Sequence, residues 1–126
     1  MPDEPQTILV VDDDSIVRKT ATVVLERGGF RVHGSRSGAR GYECFMEHPD
    51  EIGLVLTDVV MPLMSGPEMV EMILRQRPNV KVLFMTGYSA IAVLPDLYSK
   101  RYGVLGKPFT PAALLHAVRN CLLECV

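Results

Sequence analysis

Four apolar runs of strand length each stop at or beside a side chain suited to phosphoryl chemistry. Ile8-Leu9-Val10-Val11 stops at the acid cluster Asp12-Asp13-Asp14, and Leu54-Val55-Leu56-Thr57 stops at a lone carboxylate, Asp58. Val82-Leu83-Phe84-Met85 stops at Thr86, and Val104-Leu105 stops just before Lys107-Pro108. A carboxylate can act as a nucleophile and form an aspartyl-phosphate. Phosphoryl transfer then needs positioning and charge neutralisation more than acid–base chemistry. Asp58 stands alone and is the candidate nucleophile; Asp12 and Asp13 pair as a metal platform. Carboxylates that converge on one crevice repel, by about 4 kcal/mol for two unit charges about 4 Å apart at an effective dielectric of about 20. A divalent cation relieves that repulsion, and an all-oxygen, partly hydrated site suits Mg²⁺. Lys107 supplies a mobile positive charge and Thr86 a hydroxyl donor. A cis Lys107-Pro108 bond would form a tight turn that aims the lysine inward.

These groups have to be positioned by the elements that carry them. Apolar runs of strand length alternate with amphipathic segments of helix length, which is the pattern of βαβ units and a parallel sheet. The pattern predicts strands over 7–11, 31–35, 53–57, 80–85 and 102–106. Helices are expected from Asp14 or Ser15, either able to cap, to the stop at Gly28-Gly29; from Gly38 to His48, stopped by Pro49; and over 66–76, ended by Pro78. A last helix from Pro111, which fits a first turn, to Glu124 places Leu114, Leu115, Val118, Cys121, Leu122 and Cys125 on one stripe. The segment 89–101 carries a helical turn or two at most, because Pro95 interrupts it. Right-handed crossovers predict an α/β, doubly wound (βα)5 fold with helices on both faces. In the strand order 2-1-3-4-5 the crevice opens between strands 1 and 3, at the carboxyl ends where the acids lie.

The chain has 126 residues, a formal net charge of −2, 48% apolar and 22% charged residues. Those values describe one globular domain over 1–126, with 1–6 as a flexible extension, and no electrostatic footprint for nucleic acid or a membrane surface. No apolar run approaches spanning length and the first residues lack the regions of a signal peptide, so the expected location is cytoplasmic. Three cysteines, Cys44, Cys121 and Cys125, form no disulfide ladder; Cys121 and Cys125, one helical turn apart, lack a His or Cys partner at zinc-ligand spacing and are read as buried thiols rather than a metal pair.

With those residues in view, the chain resembles the receiver domain of two-component response regulators from Thr7 to Leu123. The motifs that carry the likeness are Ile8-Leu9-Val10-Val11-Asp12-Asp13-Asp14, Thr57-Asp58-Val59-Val60-Met61-Pro62 with Ser65-Gly66, Met85-Thr86-Gly87, and Lys107-Pro108-Phe109. Any one is weak; four in this order and spacing are specific. The resemblance implies a flavodoxin-like fold and a phosphorylatable switch. It makes Asp58 the phosphoacceptor from the phosphohistidine of a histidine kinase or histidine phosphotransfer protein. It implies Asp13, Asp58 and the Val60 backbone carbonyl as direct Mg²⁺ ligands, Asp12 as a ligand through water, and Thr86 and Lys107 as contacts to the phosphoryl group. Self-phosphorylation and autodephosphorylation at Asp58 would be its only catalysis. Asp14 is expected at the N-terminus of the first helix, where negative charge is favourable.

Three positions depart from the family pattern. Val104 stands three residues before the lysine, where many receivers have the aromatic residue that couples to the threonine. Val60 offers no side-chain hydrogen bond to orient water, and Tyr88 is bulky enough to shield the site; together they predict a long-lived phosphoryl state. The run Met85-Thr86-Gly87-Tyr88-Ser89 also looks like receivers attached to hybrid sensor kinases, so the alternative is the receiver portion of a longer polypeptide. With no output domain in the sequence, output is expected through protein contact or homodimerisation involving 89–125, where Ala90-Ile91-Ala92-Val93-Leu94 is unusually apolar.

Other residues have plainer readings. His33, His48 and His116 show no spacing that suggests a metal site or phosphorelay. Arg18 and Lys19 read as solvated helix charges, and the second strand carries no candidate group. Met61, Met64, Met69 and Met72 read as loop and core filler around the third helix. Two rival functions remain. A Mg²⁺-dependent aspartyl phosphatase would show Asp-x-Asp after strand 1 and a lid. A flavodoxin-like binding module would need a phosphate-cradling loop where Asp12-Asp13-Asp14 would repel phosphate.

Overall fold

The computed structural model describes residues 6–87 and 102–123. Five parallel strands, β1 (Thr7–Val11), β2 (Arg31–Ser35), β3 (Ile52–Asp58), β4 (Lys81–Thr86) and β5 (Gly103–Gly106), form one sheet in the order β2-β1-β3-β4-β5. The helices are α1 (Ser15–Arg27), α2 (Gly38–Glu47), α3 (Gly66–Gln76) and α4 (Pro111–Leu123). The expected strand order and flavodoxin-like architecture are therefore observed. The expected helical turns within 89–101, the apolar run Ala90 to Leu94, Tyr88 and Cys125 lie outside the described residues.

Strand side chains alternate between two cores because successive residues point to opposite faces. Leu9, Val11, Val55 and Phe84 pack with Phe45 of α2 and with Met69, Val70 and Ile73 of α3. Ile8, Val10, Leu54, Leu56, Leu83 and Met85 pack with Ala21 and Leu25 of α1 and with Leu114 and Val118 of α4. A sheet covered on both faces needs apolar residues at both parities, which is why β1 is buried along its whole length. Met61 and Met69 enter the core as expected, while Met64 only packs against it.

Helix starts follow local chemistry. The Asp14 carboxylate accepts from Ile16 N and Val17 N, capping α1. Ser65 and Glu68 form a reciprocal capping box at α3. Thr110 Oγ1 accepts from Ala113 N at the start of α4. Gly29, at φ 96°, turns the chain out of α1.

Register then sets the site. Val11 pairs with Thr57, so Asp12 and Asp58 leave the sheet side by side. Asp58 pairs with Met85, and Thr86 with Gly106. The Lys107-Pro108 bond is cis.

Candidate functional site

Each side chain of the candidate site stands at or just past a strand end, and the backbone ladder carries on to hold it. Asp12 N donates to Ser35 O (3.2 Å), Val59 N to Met85 O (3.2 Å) and Lys107 N to Thr86 O (2.8 Å). Carboxylate oxygens of Asp12, Asp13 and Asp58 lie within 4.8 Å of one another. Their environments differ: Asp12 is fully buried, Asp58 half-buried and Asp13 exposed.

Lys107 spans the cluster, with Nζ 2.8 Å from Asp12 Oδ2 and 3.3 Å from Asp58 Oδ2. The other Asp12 oxygen, Oδ1, accepts from Asp14 N at 2.9 Å. Burial, and then the Asp12 charge, push the Asp58 carboxyl above its ordinary value, with Lys107 opposing. For Lys107, burial pulls the ammonium down, but the hydrogen bond and charge of Asp12, together with Asp58, outweigh it and the value ends up raised. The pocket thus has too little positive charge for its acids, and its donors are all oxygen. That set fits a small hard dication: three convergent carboxylates, one of them open to solvent, leave room for retained water.

Two side chains have roles that spacing alone did not show. Arg18 was expected to be a solvated helix charge. Instead, its Nη1 donates to the carbonyl oxygen of Asp12 at 2.7 Å, so it braces the backbone of the acid cluster. Its position one turn into α1 was the available signal, since helix side chains lean back toward the N-terminus. Gly66 packs against the end of β3 at Asp58. A Cβ there would overlap the Asp58 carbonyl oxygen and crowd Thr57 Oγ1, while Gly66 N donates to Val59 O at 2.9 Å. Thr57 Oγ1 in turn donates to Asp58 O at 2.9 Å. The loop between β3 and α3 is thereby clamped under Asp58, and it contains Leu63 at φ 70°.

Thr86 is buried at the end of β4, beside the Asp58 strand, and its hydroxyl donates to Gly87 O at 3.1 Å. Val60 is exposed. Val104 lies in register with Phe84, whose ring meets Tyr102 edge-on at 5.9 Å. Cys44 is half-buried and Cys121 buried, with Cys121 Sγ donating to Val82 O; burial and then Glu47 push the Cys44 thiol up, away from the reactive thiolate. The histidine reading needs correcting. His33 and His48 are stacked with ring centroids 4.4 Å apart, and Glu51 joins them, so β2 does carry a candidate group.

The model of the response regulator receiver domain family matches residues 8–119. The chain belongs to this family. As a receiver domain of two-component signalling it is a switch rather than a metabolic enzyme. It is 36% identical over 117 residues to the response regulator receiver protein CpdR of Brucella abortus, covering 92% of this chain and 96% of CpdR. It is 33% identical to the sensor kinase CckA of the same organism, over 92% of this chain but only 12% of CckA. Among solved structures, a receiver domain protein of Clostridium thermocellum superposes with a TM-score of 0.85 at 29% identity, covering 93% of this chain and 94% of that one. The receiver domain of the hybrid histidine kinase CckA superposes with a TM-score of 0.78 at 25% identity, covering 92% and 98%. Among the described residues no helix is long and apolar enough to cross a membrane.

Proposed function

We propose that this receiver accepts a phosphoryl group onto Asp58 from a phosphohistidine of a histidine kinase or histidine phosphotransfer protein, in a Mg²⁺-dependent reaction in the cytoplasm. The observation that carries the reading is the placement of the Asp58 carboxylate 3.3 Å from the Lys107 ammonium, within the oxygen cluster it forms with Asp12 and Asp13. An Asp58 carboxylate oxygen attacks phosphorus as the histidine N–P bond breaks, and the imidazole leaves with the bonding electron pair. Lys107 and the Thr86 hydroxyl meet the transferred oxygens; Lys107 turns from Asp12 toward the new charge, and Thr86 gives up its bond to Gly87 O.

Asp13, Asp58 and the Val60 carbonyl would hold Mg²⁺ in this reading. Asp12 serves through water, consistent with both its oxygens already accepting hydrogen bonds from protein groups. The bound cation supplies charge neutralisation for the incoming phosphoryl oxygens. Dephosphorylation is the same site working on water, slowly, because the Val60 side chain carries no polar atom to orient it.

Exposed aliphatic side chains flank the acids in sequence, Ile16 after Asp14 and Val60 and Leu63 after Asp58. Such a rim suits docking of a partner that delivers its histidine to the crevice. The 33% identity to CckA supports a second reading, the receiver portion of a hybrid kinase, with the same chemistry at Asp58.

The test is incubation with acetyl phosphate and Mg²⁺ followed by intact mass measurement. One phosphoryl group is expected on the native chain and none on Asp58→Ala. Catalytic turnover of phosphate substrates would favour a phosphatase instead, and no mass gain would overturn the proposal.

A further inference from the structure

On the α2 side of the sheet, apart from the acid cluster, three residues from two separate segments converge. His33 lies mid-strand in β2, paired with Leu9. Paired residues in a parallel ladder point the same way, and Leu9 belongs to the core packed under α2, so His33 faces the α2 side. His48 is the C-cap residue of α2, and Glu51 sits in the turn that leads into β3. A ring nitrogen from each histidine and a carboxylate oxygen of Glu51 all lie within 4.8 Å of one another. His48 Nδ1 is 3.3 Å from Glu51 Oε2.

The backbone under these side chains is tied down. His48 N donates to Cys44 O and Phe45 O, and His48 O accepts from both Glu51 N and Ile52 N. His33 sits inside a strand ladder. Rigid elements therefore fix where the three groups start, while the side chains face a partly open surface: His33 and His48 are half-buried and Glu51 exposed. The two ring planes are 15° apart, so their in-plane lone pairs run nearly parallel and the rings must turn to share one ion.

We infer that His33, His48 and Glu51 form a binding site for a divalent transition-metal ion of the imidazole-preferring class, separate from the acid cluster. Two histidines and a carboxylate are a ligand set that Zn²⁺ and its neighbours take, with water completing the shell. The ligand bonds run about 2.0–2.2 Å, so the three donors draw together by roughly an ångström on binding, through rotation of the exposed Glu51 and the rings. Mg²⁺ prefers an all-oxygen set, so the two sites differ in kind. Through Leu9, His33 is level with Val55, three residues short of Asp58 and two strands away, so at about 3.3 Å per residue it stands roughly 10 Å from Asp58 along the strands. A bound ion would tie edge strand β2 to the turn between α2 and β3.

The experiment titrates Zn²⁺ into the full chain with Mg²⁺ in excess, reading stoichiometry by calorimetry and the histidine ring resonances by NMR. One Zn²⁺ per chain is expected, with the His33 and His48 rings shifting together and His116 unmoved. His33→Asn and His48→Asn should each weaken binding by more than the roughly 10–100-fold that outer-shell partners of a metal contribute. Their unfolding midpoints in chelator and their phosphorylation by acetyl phosphate should stay those of the native chain. Binding that survives the double variant overturns the inference. So does Zn²⁺ displaced by Mg²⁺, which would place it among Asp12, Asp13 and Asp58, or a His33 ring that does not respond. The ring shifts in the native chain decide the matter even where a variant fails to fold.

Discussion

Lys107 Nζ sits nearer the fully buried carboxylate of Asp12, at 2.8 Å, than that of Asp58, at 3.3 Å. The lysine is therefore held by Asp12 and leans on Asp58 only as a second partner. Removing it strips a buried carboxylate of its charge-assisted bond. Lys107→Met should cost about 2 kcal/mol in chelator, within the range for hydrogen bonds to charged groups, as measured by urea unfolding. The sign with pH follows from the raised value of Lys107. Its contribution is fully present below the ordinary value of 10.5 and is lost as pH rises through the higher folded value. An unchanged midpoint at neutral pH would show that the pair contributes nothing.

Asp58 titrates with the opposite consequence. Its carboxyl is raised above 3.8 by burial and by Asp12, so the fold binds a proton there more tightly than the unfolded chain does. Stability is then lost as pH rises from 3.8 through the folded value, and the cost persists at neutral pH without metal. Asp58→Asn should raise the Tm at pH 7 in chelator, with the gain shrinking toward acid. A Tm difference independent of pH would contradict this origin.

Mg²⁺ should stabilise the native chain by mass action, by about 2.7 kcal/mol at roughly a hundredfold excess over Kd. The shift in Tm should be lost in Asp13→Asn. Because the ligands must be deprotonated, Mg²⁺ affinity should weaken as pH falls through the raised Asp58 value, at a higher pH than an ordinary carboxylate would give. A titration by calorimetry across that range checks the direction.

Gly66→Ala should destabilise by about 2 kcal/mol, the size of an overpacking penalty, because its Cβ would meet the Asp58 carbonyl and Thr57 hydroxyl. The same shift moves the acceptor, so phosphorylation by acetyl phosphate should also slow. Wild-type unfolding and labelling rates would show that the loop relaxes freely.

Val60 presents an exposed, apolar side chain beside the acceptor. The aspartyl-phosphate should be long-lived, and Val60→Asn should shorten its half-life several-fold by giving water a hydrogen-bonding partner. Loss of the phosphoryl mass with time after the donor is removed measures this. A half-life as short as that of fast chemotaxis-type receivers would sink the expectation.

The sequence by itself determined which residues end the strands, and hence most of the acid site. Apolar runs such as Ile8 to Val11 and Leu54 to Thr57 need two covered faces, and a carboxylate stops such a run wherever the chain leaves the sheet. Caps and stops at Asp14, Gly29 and Pro111 are also local, since each answers to the backbone groups within a turn of it. Only the tertiary structure decided how far each group reaches across strands. Lys107 prefers Asp12, Arg18 bends back to the Asp12 carbonyl, Gly66 lies under Asp58, and His33 meets His48 and Glu51. Those pairings depend on strand register and on the direction in which helix side chains lean. Register is not encoded in the spacing of residues along the chain, because packing brings together groups that periodicity treats as unrelated; the lean of Arg18 toward the helix N-terminus is.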